Sequence, residues 1–231
     1  MKRAILRGAA RALQSVSAAL ANRDRKLPMT LRTSTHDLLK ASVMARHLEA
    51  GDRVLDVGCG HGDRLVHLSL FQRELVTFGV DLHAGAPTML PGAVAPTLGA
   101  YDGETLPFAD RDFDVVMSCY VLHHLRPAAV DALLVEMVRC ARRRVLILED
   151  SVERFDLFYR LRNWAHIVDT DLEYAAATTF APRVDTGSFL TRGAWQAKLA
   201  SMPRATEVRV QPLDAVSRYR HHTLFVVDLS A

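Results

Sequence analysis

The segment Val54-Leu55-Asp56-Val57-Gly58-Cys59-Gly60-His61-Gly62-Asp63 constrains this chain more than any other. An apolar run passes directly into alternating glycines and then into a helical pattern over 62–73. Glycines there permit a tight turn and close approach of the backbone by a ligand. A second apolar run, 76–80, leads into Asp81, 21 residues after Gly60. A carboxylate at that strand end can accept both hydroxyls of a ribose, and it can also cap a helix. The runs at 53–57, 76–80, 113–118 and 145–148 are apolar almost throughout, with candidate helices at 62–73 and 127–141. Strands apolar on both faces imply a parallel sheet covered by helices, an α/β fold. Residues 206–211 and 222–229 read as two closing strands joined as a hairpin. A helix over 34–49 carries Leu38, Leu39, Val43 and Leu48 on its apolar side, with Ser34 or Thr35 as its cap.

The charges around the glycines bear on the ligand. A dinucleotide turn needs G-x-G-x-x-G so that a helix start receives a pyrophosphate. Here the spacing is Gly58-x-Gly60-x-Gly62, Asp63 occupies the third-glycine place, and Asp56 stands two residues before the first glycine. Acids on both sides repel a diphosphate. They suit a ligand with a cationic amine and a sulfonium, which favours S-adenosylmethionine over NAD.

On these residues the chain resembles the class I S-adenosylmethionine-dependent methyltransferases over residues 50–150. Asp56-Val57-Gly58-Cys59-Gly60-His61-Gly62 matches that family's D-x-G-x-G-x-G loop. The resemblance implies a Rossmann-like, seven-stranded, mostly parallel sheet with an antiparallel last strand and helices on both faces. It implies S-adenosylmethionine as cofactor and S-adenosylhomocysteine as product. Gly58, Cys59 and Gly60 would then pass close to the methionyl part, Asp81 would hold the ribose, and Asp102 with Gly103 the adenine, with Asp56, Leu82 and Ser118 also among the cofactor-binding residues. Asp102-Gly103 also reads as a plain turn pair. Phe113–Val116 and Val121-Leu122-His123-His124-Leu125 resemble the fourth strand and the turn after it, and 145–150 the fifth strand.

Methyl transfer is an in-line displacement, so alignment and water exclusion carry most of it. A base is required only when the nucleophile must lose a proton. His123 and His124 are the candidate bases, with Tyr120, Glu149 and Asp150 in similar positions along the chain. His166, His221 and His222 are more distant along the chain, and the last two, before the terminal strand, read as structural. No residue cluster reads as a metal site, because adjacent histidines cannot both face one ion from a helix. Asp110, Asp112 and Asp114 read as a solvated turn, and Arg142-Arg143-Arg144 as a solvated helix end.

Partners follow from charge and composition. Residues 1–53 carry 11 Lys/Arg against 4 Asp/Glu, whereas residues 54–150 carry 8 against 13. A nucleic-acid binder spreads positive charge over its main body, so a nucleic-acid partner is not expected; the alternatives are an RNA or protein methyltransferase that uses the basic N-terminal arm, or a non-methylating S-adenosylmethionine-binding protein. Residues 4–20 form an amphipathic pattern open to three readings: a helix packed on the domain, a transit peptide, or a membrane-surface or lid helix reaching a lipid or quinone. The chain divides into an N-terminal arm, 1–50, and a methyltransferase-like domain, 51–231. The domain includes an insertion at 151–195 that holds 8 of the 16 aromatic residues. An aromatic, apolar insertion suits a small-molecule acceptor, with O-methylation ahead of C- or N-methylation. Within it, Thr191 to Trp195 reads as a helix start. At 49% apolar and 24% charged the 231-residue chain is no disordered polymer, and no apolar run approaches the roughly 18 residues of a membrane span. Cys59, Cys119 and Cys140 form no CxxC and are odd in number, so the expected location is cytoplasmic.

Overall fold

The computed structural model describes residues 29–85, 87, 89–125, 127–151, 190–213 and 222–231. The arm pattern at 4–20, and the part of the aromatic insertion at 152–189, lie outside the described residues, as do His166 and His221. The described chain runs α1 (Met29–Ala45), β1 (Arg53–Val57), α2 (Asp63–Phe71), β2 (Val76–Asp81), β3 (Thr97–Ala100) and β4 (Phe113–Cys119). A 3-10 turn (Leu122–His124) follows, then α3 (Pro127–Cys140), β5 (Ala141–Asp150), α4 (Arg192–Ala200), β6 (Ala205–Pro212) and β7 (His222–Leu229).

One seven-stranded sheet has the order β3-β2-β1-β4-β5-β7-β6. β1 to β5 run parallel to one another, and β7 runs antiparallel between β5 and β6. This is the Rossmann-like architecture expected. The inner place of β7 follows from its residues. Thr223, Leu224, Phe225, Val226 and Val227 are all buried, as a strand covered on both faces must be. β6 mixes polar and apolar residues and lies at the edge.

Alternate residues of each strand supply two cores. On one face Val54, Val115, Met117, Leu146, Leu148 and Leu224 meet Met44 of α1 and Leu65 and Leu68 of α2. On the other, Leu55, Val116, Val145, Ile147, Phe225 and Val227 meet Leu134, Met137 and Val138 of α3 and Trp195 of α4. Each such side chain contributes roughly 1.5–3 kcal/mol by leaving water. Trp195 is fully buried with its ring 6.4 Å from that of Phe225, and the Thr191 side chain accepts from Ala194 N at the start of α4. The helix start read at Thr191 is therefore present.

Three expectations are corrected. Ser34 and Thr35 lie inside α1, which extends from Met29, so neither is the cap. A cap must be non-helical with free amides ahead of it, and interior amides already bond to carbonyls four residues back. Arg142, Arg143 and Arg144 begin β5 instead of ending a helix, because α3 stops at Cys140 and the strand starts at the next residue. There Arg142 pairs with Asp114 at 2.5 Å, Arg143 with Asp52, and Arg144 with Asp228 at 2.6 Å. The aspartates read as a solvated turn are correspondingly paired: Asp112 with Arg53 at 3.1 Å, Asp110 with Arg139 at 2.9 Å, and Asp114 with Arg142. These pairs tie together the strand ends on the side of the sheet away from the glycine loop. β3 had no expectation at all, being four residues long with a glycine inside it.

Candidate cofactor site

The glycine loop is tied to the end of β2. Gly58 N and Cys59 N both donate to Val80 O, at 2.8 and 3.1 Å. Gly60 N donates to Asp81 Oδ2 at 2.9 Å, and Asp81 Oδ1 accepts from His83 N at 2.9 Å. Asp81 is thus a brace as well as a strand-end acid. Two glycines are required by geometry. Gly58 sits at φ 78°, and a Cβ there would lie 2.3 Å from Val121 Cγ2. Gly79 of β2 passes so close to the loop that a Cβ would lie 2.6 Å from Cys59 Sγ. A sheet position with no side chain lets the loop settle against the sheet.

A cavity of about 200 Å³ opens beside this loop, lined by Asp56, Gly58, Cys59, Arg64, His67 and Cys119 among others. Its polar groups are unusual. Asp56 is 2% exposed and its Oδ1 has no hydrogen-bond partner among the described residues. Burial raises the Asp56 carboxyl from its ordinary 3.8 to about 7, opposed by Arg64 and reinforced by Asp81. Arg64 Nη1 is likewise buried without a hydrogen bond, and Arg64 Nη2 reaches Asp37 only at 3.8 Å. Leaving buried charged groups unpaired costs several kcal/mol. A ligand bearing both an ammonium and a carboxylate would relieve both at once.

The other expected residues fall around the same end of the sheet. Leu82 is half exposed after β2, and a Cβ on Gly103 would lie 2.9 Å from its Cδ2, so these two form one wall. Asp102 is exposed, and its Oδ1 accepts from Glu104 N and Thr105 N at 2.8 and 2.9 Å. Those two amides hold its carboxyl below the ordinary carboxylate range. The plain-turn reading of Asp102 is therefore realised, whatever else the carboxylate does. Ser118 is fully buried and donates to Val57 O at 3.0 Å, so its hydroxyl clamps β4 to β1 and does not present to the cavity.

The histidine pair divides by burial. His123 is 2% exposed, and its Nδ1 lies 2.5 Å from Oε2 of the fully buried Glu149. The other Glu149 oxygen accepts from Leu122 N at 2.7 Å. His124 is exposed, with its ring 4.1 Å from that of His123. On the opposite face of β5, Asp150 Oδ1 lies 3.0 Å from His222 Nε2, directly across the β5–β7 ladder. His222 in turn packs on Tyr120, ring centroids 4.8 Å apart. Sequence reading missed Arg64, whose signal was an arginine one residue past the acid that follows the loop.

Residues 54–144 match the family described as "Methyltransferase domain". Over those residues the chain is similar to a methyltransferase domain. The curated relatives include the demethylmenaquinone methyltransferase of Roseiflexus sp. (strain RS-1), 35% identical over 39% of this chain and 38% of that one. They also include the fatty-acid O-methyltransferase of Mycolicibacterium smegmatis, 30% identical over 56% of this chain and 51% of that one. The chain thus spans between two-fifths and about half the length of these relatives. Among solved structures, the magnesium protoporphyrin IX methyltransferase of Synechocystis PCC 6803 with bound SAH superposes with a TM-score of 0.54. It shares 13% identity and covers 93% of this chain and 95% of that one, a likeness of fold. Among the described residues, no helix is long and apolar enough to cross a membrane.

Proposed function

We propose that this chain transfers a methyl group from S-adenosylmethionine to a small organic acceptor, with oxygen the favoured attacking atom. The observation that carries the reading is the pair of buried atoms without a hydrogen bond among the described residues, Asp56 Oδ1 and Arg64 Nη1, on two side chains that line one cavity beside the glycine loop. They match the ammonium and carboxylate of the cofactor's amino-acid end. The cofactor supplies an activated methyl on sulfonium. Asp56 holds the amine, Arg64 the carboxylate, and Gly58, Cys59 and Gly60 line the methionyl path. Asp81 with Leu82 takes the ribose, and Asp102 with Gly103 the adenine. The chain's work is alignment and exclusion of water. His123, held by Glu149, and the exposed His124 remain the proposed bases for an acceptor that must lose a proton. The likeness to a fatty-acid O-methyltransferase supports a small acceptor and an oxygen nucleophile. The proposed division into an arm, 1–50, and a domain, 51–231, leaves residues 1–23 as the element for any membrane contact.

The test is incubation with methyl-labelled S-adenosylmethionine and a lysate of the source organism, followed by separation of organic-soluble from macromolecular label. Organic-soluble label is the expected result. Label confined to RNA or protein would overturn the acceptor class.

Asp56 also makes cofactor binding pH-dependent. Its folded pKa lies above its unfolded value, so its ionisation opposes folding. The apo protein loses that contribution as pH rises from the ordinary carboxylate range to about 7, and loses no more above it. An ammonium ligand favours the ionised form. Affinity for S-adenosylhomocysteine, followed by calorimetry, should therefore rise between about pH 6 and about pH 7.5. Asp56→Asn should flatten that rise and weaken binding about tenfold. A rise that persists in Asp56→Asn would assign it to another group.

A further inference from the structure

Tyr120 follows β4 immediately after Cys119, which lines the cavity. Three features of it are unexplained by packing. Its φ is +61°, in the left-handed region that costs a side-chain-bearing residue about 1–3 kcal/mol. Its hydroxyl is buried and makes no hydrogen bond among the described residues. Two cations press on its ring: Lys40 Nζ lies 4.9 Å from the centroid and Arg64 Cζ 5.7 Å. The third side is closed by the His222 ring.

Strain at one residue and an orphaned hydroxyl on the same residue require a compensating role. The chemistry of that hydroxyl is defined by its surroundings. Burial pushes the phenol above its ordinary pKa, so it is no base. The two cations draw electron density from the ring, which strengthens the hydroxyl as a donor. It is a neutral, polarised hydrogen-bond donor, buried one residue past Cys119 and against Arg64, both of which line the cavity.

Resting on the methyltransferase reading, we infer that Tyr120 recognises the acceptor by donating its phenolic hydrogen bond to an ionised oxygen, that of a carboxylate or a phenolate. In water such an oxygen accepts several hydrogen bonds. Beside Tyr120 it would exchange most of them for the phenolic donor and the field of the two cations, Lys40 and Arg64, and so be held in place as an anion with few hydrogen bonds. The oxygen–methyl bond forms as the sulfonium–methyl bond breaks, and the electron pair of the broken bond stays on sulfur. The negative oxygen and the positive sulfur both become neutral, and no proton moves in that step. A phenol gives its proton to solvent before it binds.

The experiment reads binding, not turnover. 4-Nitrophenolate is titrated into the wild-type complex with S-adenosylhomocysteine and into the Tyr120→Phe complex, following the probe's absorption. The expected result is saturable binding with a spectral shift in the wild type, and binding about 10- to 100-fold weaker in Tyr120→Phe, as for a lost hydrogen bond to a charged group. S-Adenosylhomocysteine affinity should be equal in both, and the melting midpoint of Tyr120→Phe should not fall, since the hydroxyl holds nothing in the unliganded fold. Octanoate competing for the probe would identify a carboxylate acceptor; failure of octanoate to compete while the probe binds would identify a phenolate. Equal probe affinity in the two proteins, or no binding to the wild type, overturns the inference. If the wild type fails to bind S-adenosylhomocysteine, the methyltransferase reading itself has failed and takes the inference with it.

Discussion

Replacing Glu149 by alanine is expected to lower the melting midpoint by about 6–20 °C. Glu149 is fully buried at the end of β5, and both its oxygens are engaged: one accepts from Leu122 N at 2.7 Å, the other meets His123 Nδ1 at 2.5 Å. The carboxylate thereby fixes the 3-10 turn that leaves β4 toward α3. Truncation leaves a buried imidazole and a buried amide without this partner, and breaking a buried pair in that way costs about 3–5 kcal/mol. For a chain of this size each kcal/mol moves the midpoint by about 2–4 °C. Glu149→Gln keeps an acceptor for the amide and should fall between wild type and alanine. Removing both partners, with His123→Leu added to Glu149→Leu, should cost less than Glu149→Ala, because no imidazole is then left buried without its carboxylate. Thermal melts of the four proteins followed by circular dichroism decide it. A loss under about 1 kcal/mol in Glu149→Ala would mean the turn is held by its apolar packing on Leu122 alone.

The same pair shows what was legible in the sequence. The strands at 53–57, 76–80 and 113–118 announce themselves because a sheet covered on both faces needs apolar residues at every position. The glycine loop does so because close backbone approach excludes side chains, as the contact between Gly58 and Val121 shows. Glu149 and His123 stand 26 residues apart, and their pairing is a product of the β4–β5 register, which no local pattern encodes. Arg142 to Arg144 misled for the opposite reason: a basic run after a helical pattern is ordinarily a solvated helix end, and only the partners Asp52, Asp114 and Asp228, distant in sequence, make it a strand start. Arg64 and Tyr120 escaped notice as a unit because their significance lies in atoms left unpaired, a property of three-dimensional packing. Ser118 was placed at the correct strand end, but the direction of its hydroxyl toward Val57 depends on strand pairing.

Asp81→Ala should weaken binding of S-adenosylhomocysteine by more than about 100-fold and lower stability by about 1–3 kcal/mol. In the unliganded fold the carboxylate accepts from Gly60 N and from His83 N, one on each oxygen. Hydrogen bonds to a charged acceptor are worth about 1.5–3 kcal/mol each, less where water competes. The stability loss should sit at the low end because His83 is exposed and its amide finds water. The affinity loss should be the larger effect, because alanine removes the proposed ribose contact and also releases the loop at Gly60, so the ligand must order what the protein no longer does. Asp81→Asn separates the two contributions. Its amide oxygen can keep one backbone donor, but its amino group opposes the other, so the loop is half tied and no charge remains for the ribose. Binding of Asp81→Asn should therefore fall between wild type and alanine, while its stability stays closer to wild type. Calorimetric titration with S-adenosylhomocysteine, alongside thermal melts of the same preparations, gives both quantities. Equal affinity in wild type and Asp81→Ala would remove Asp81 from the cofactor site and leave it only the brace between β2 and the glycine loop.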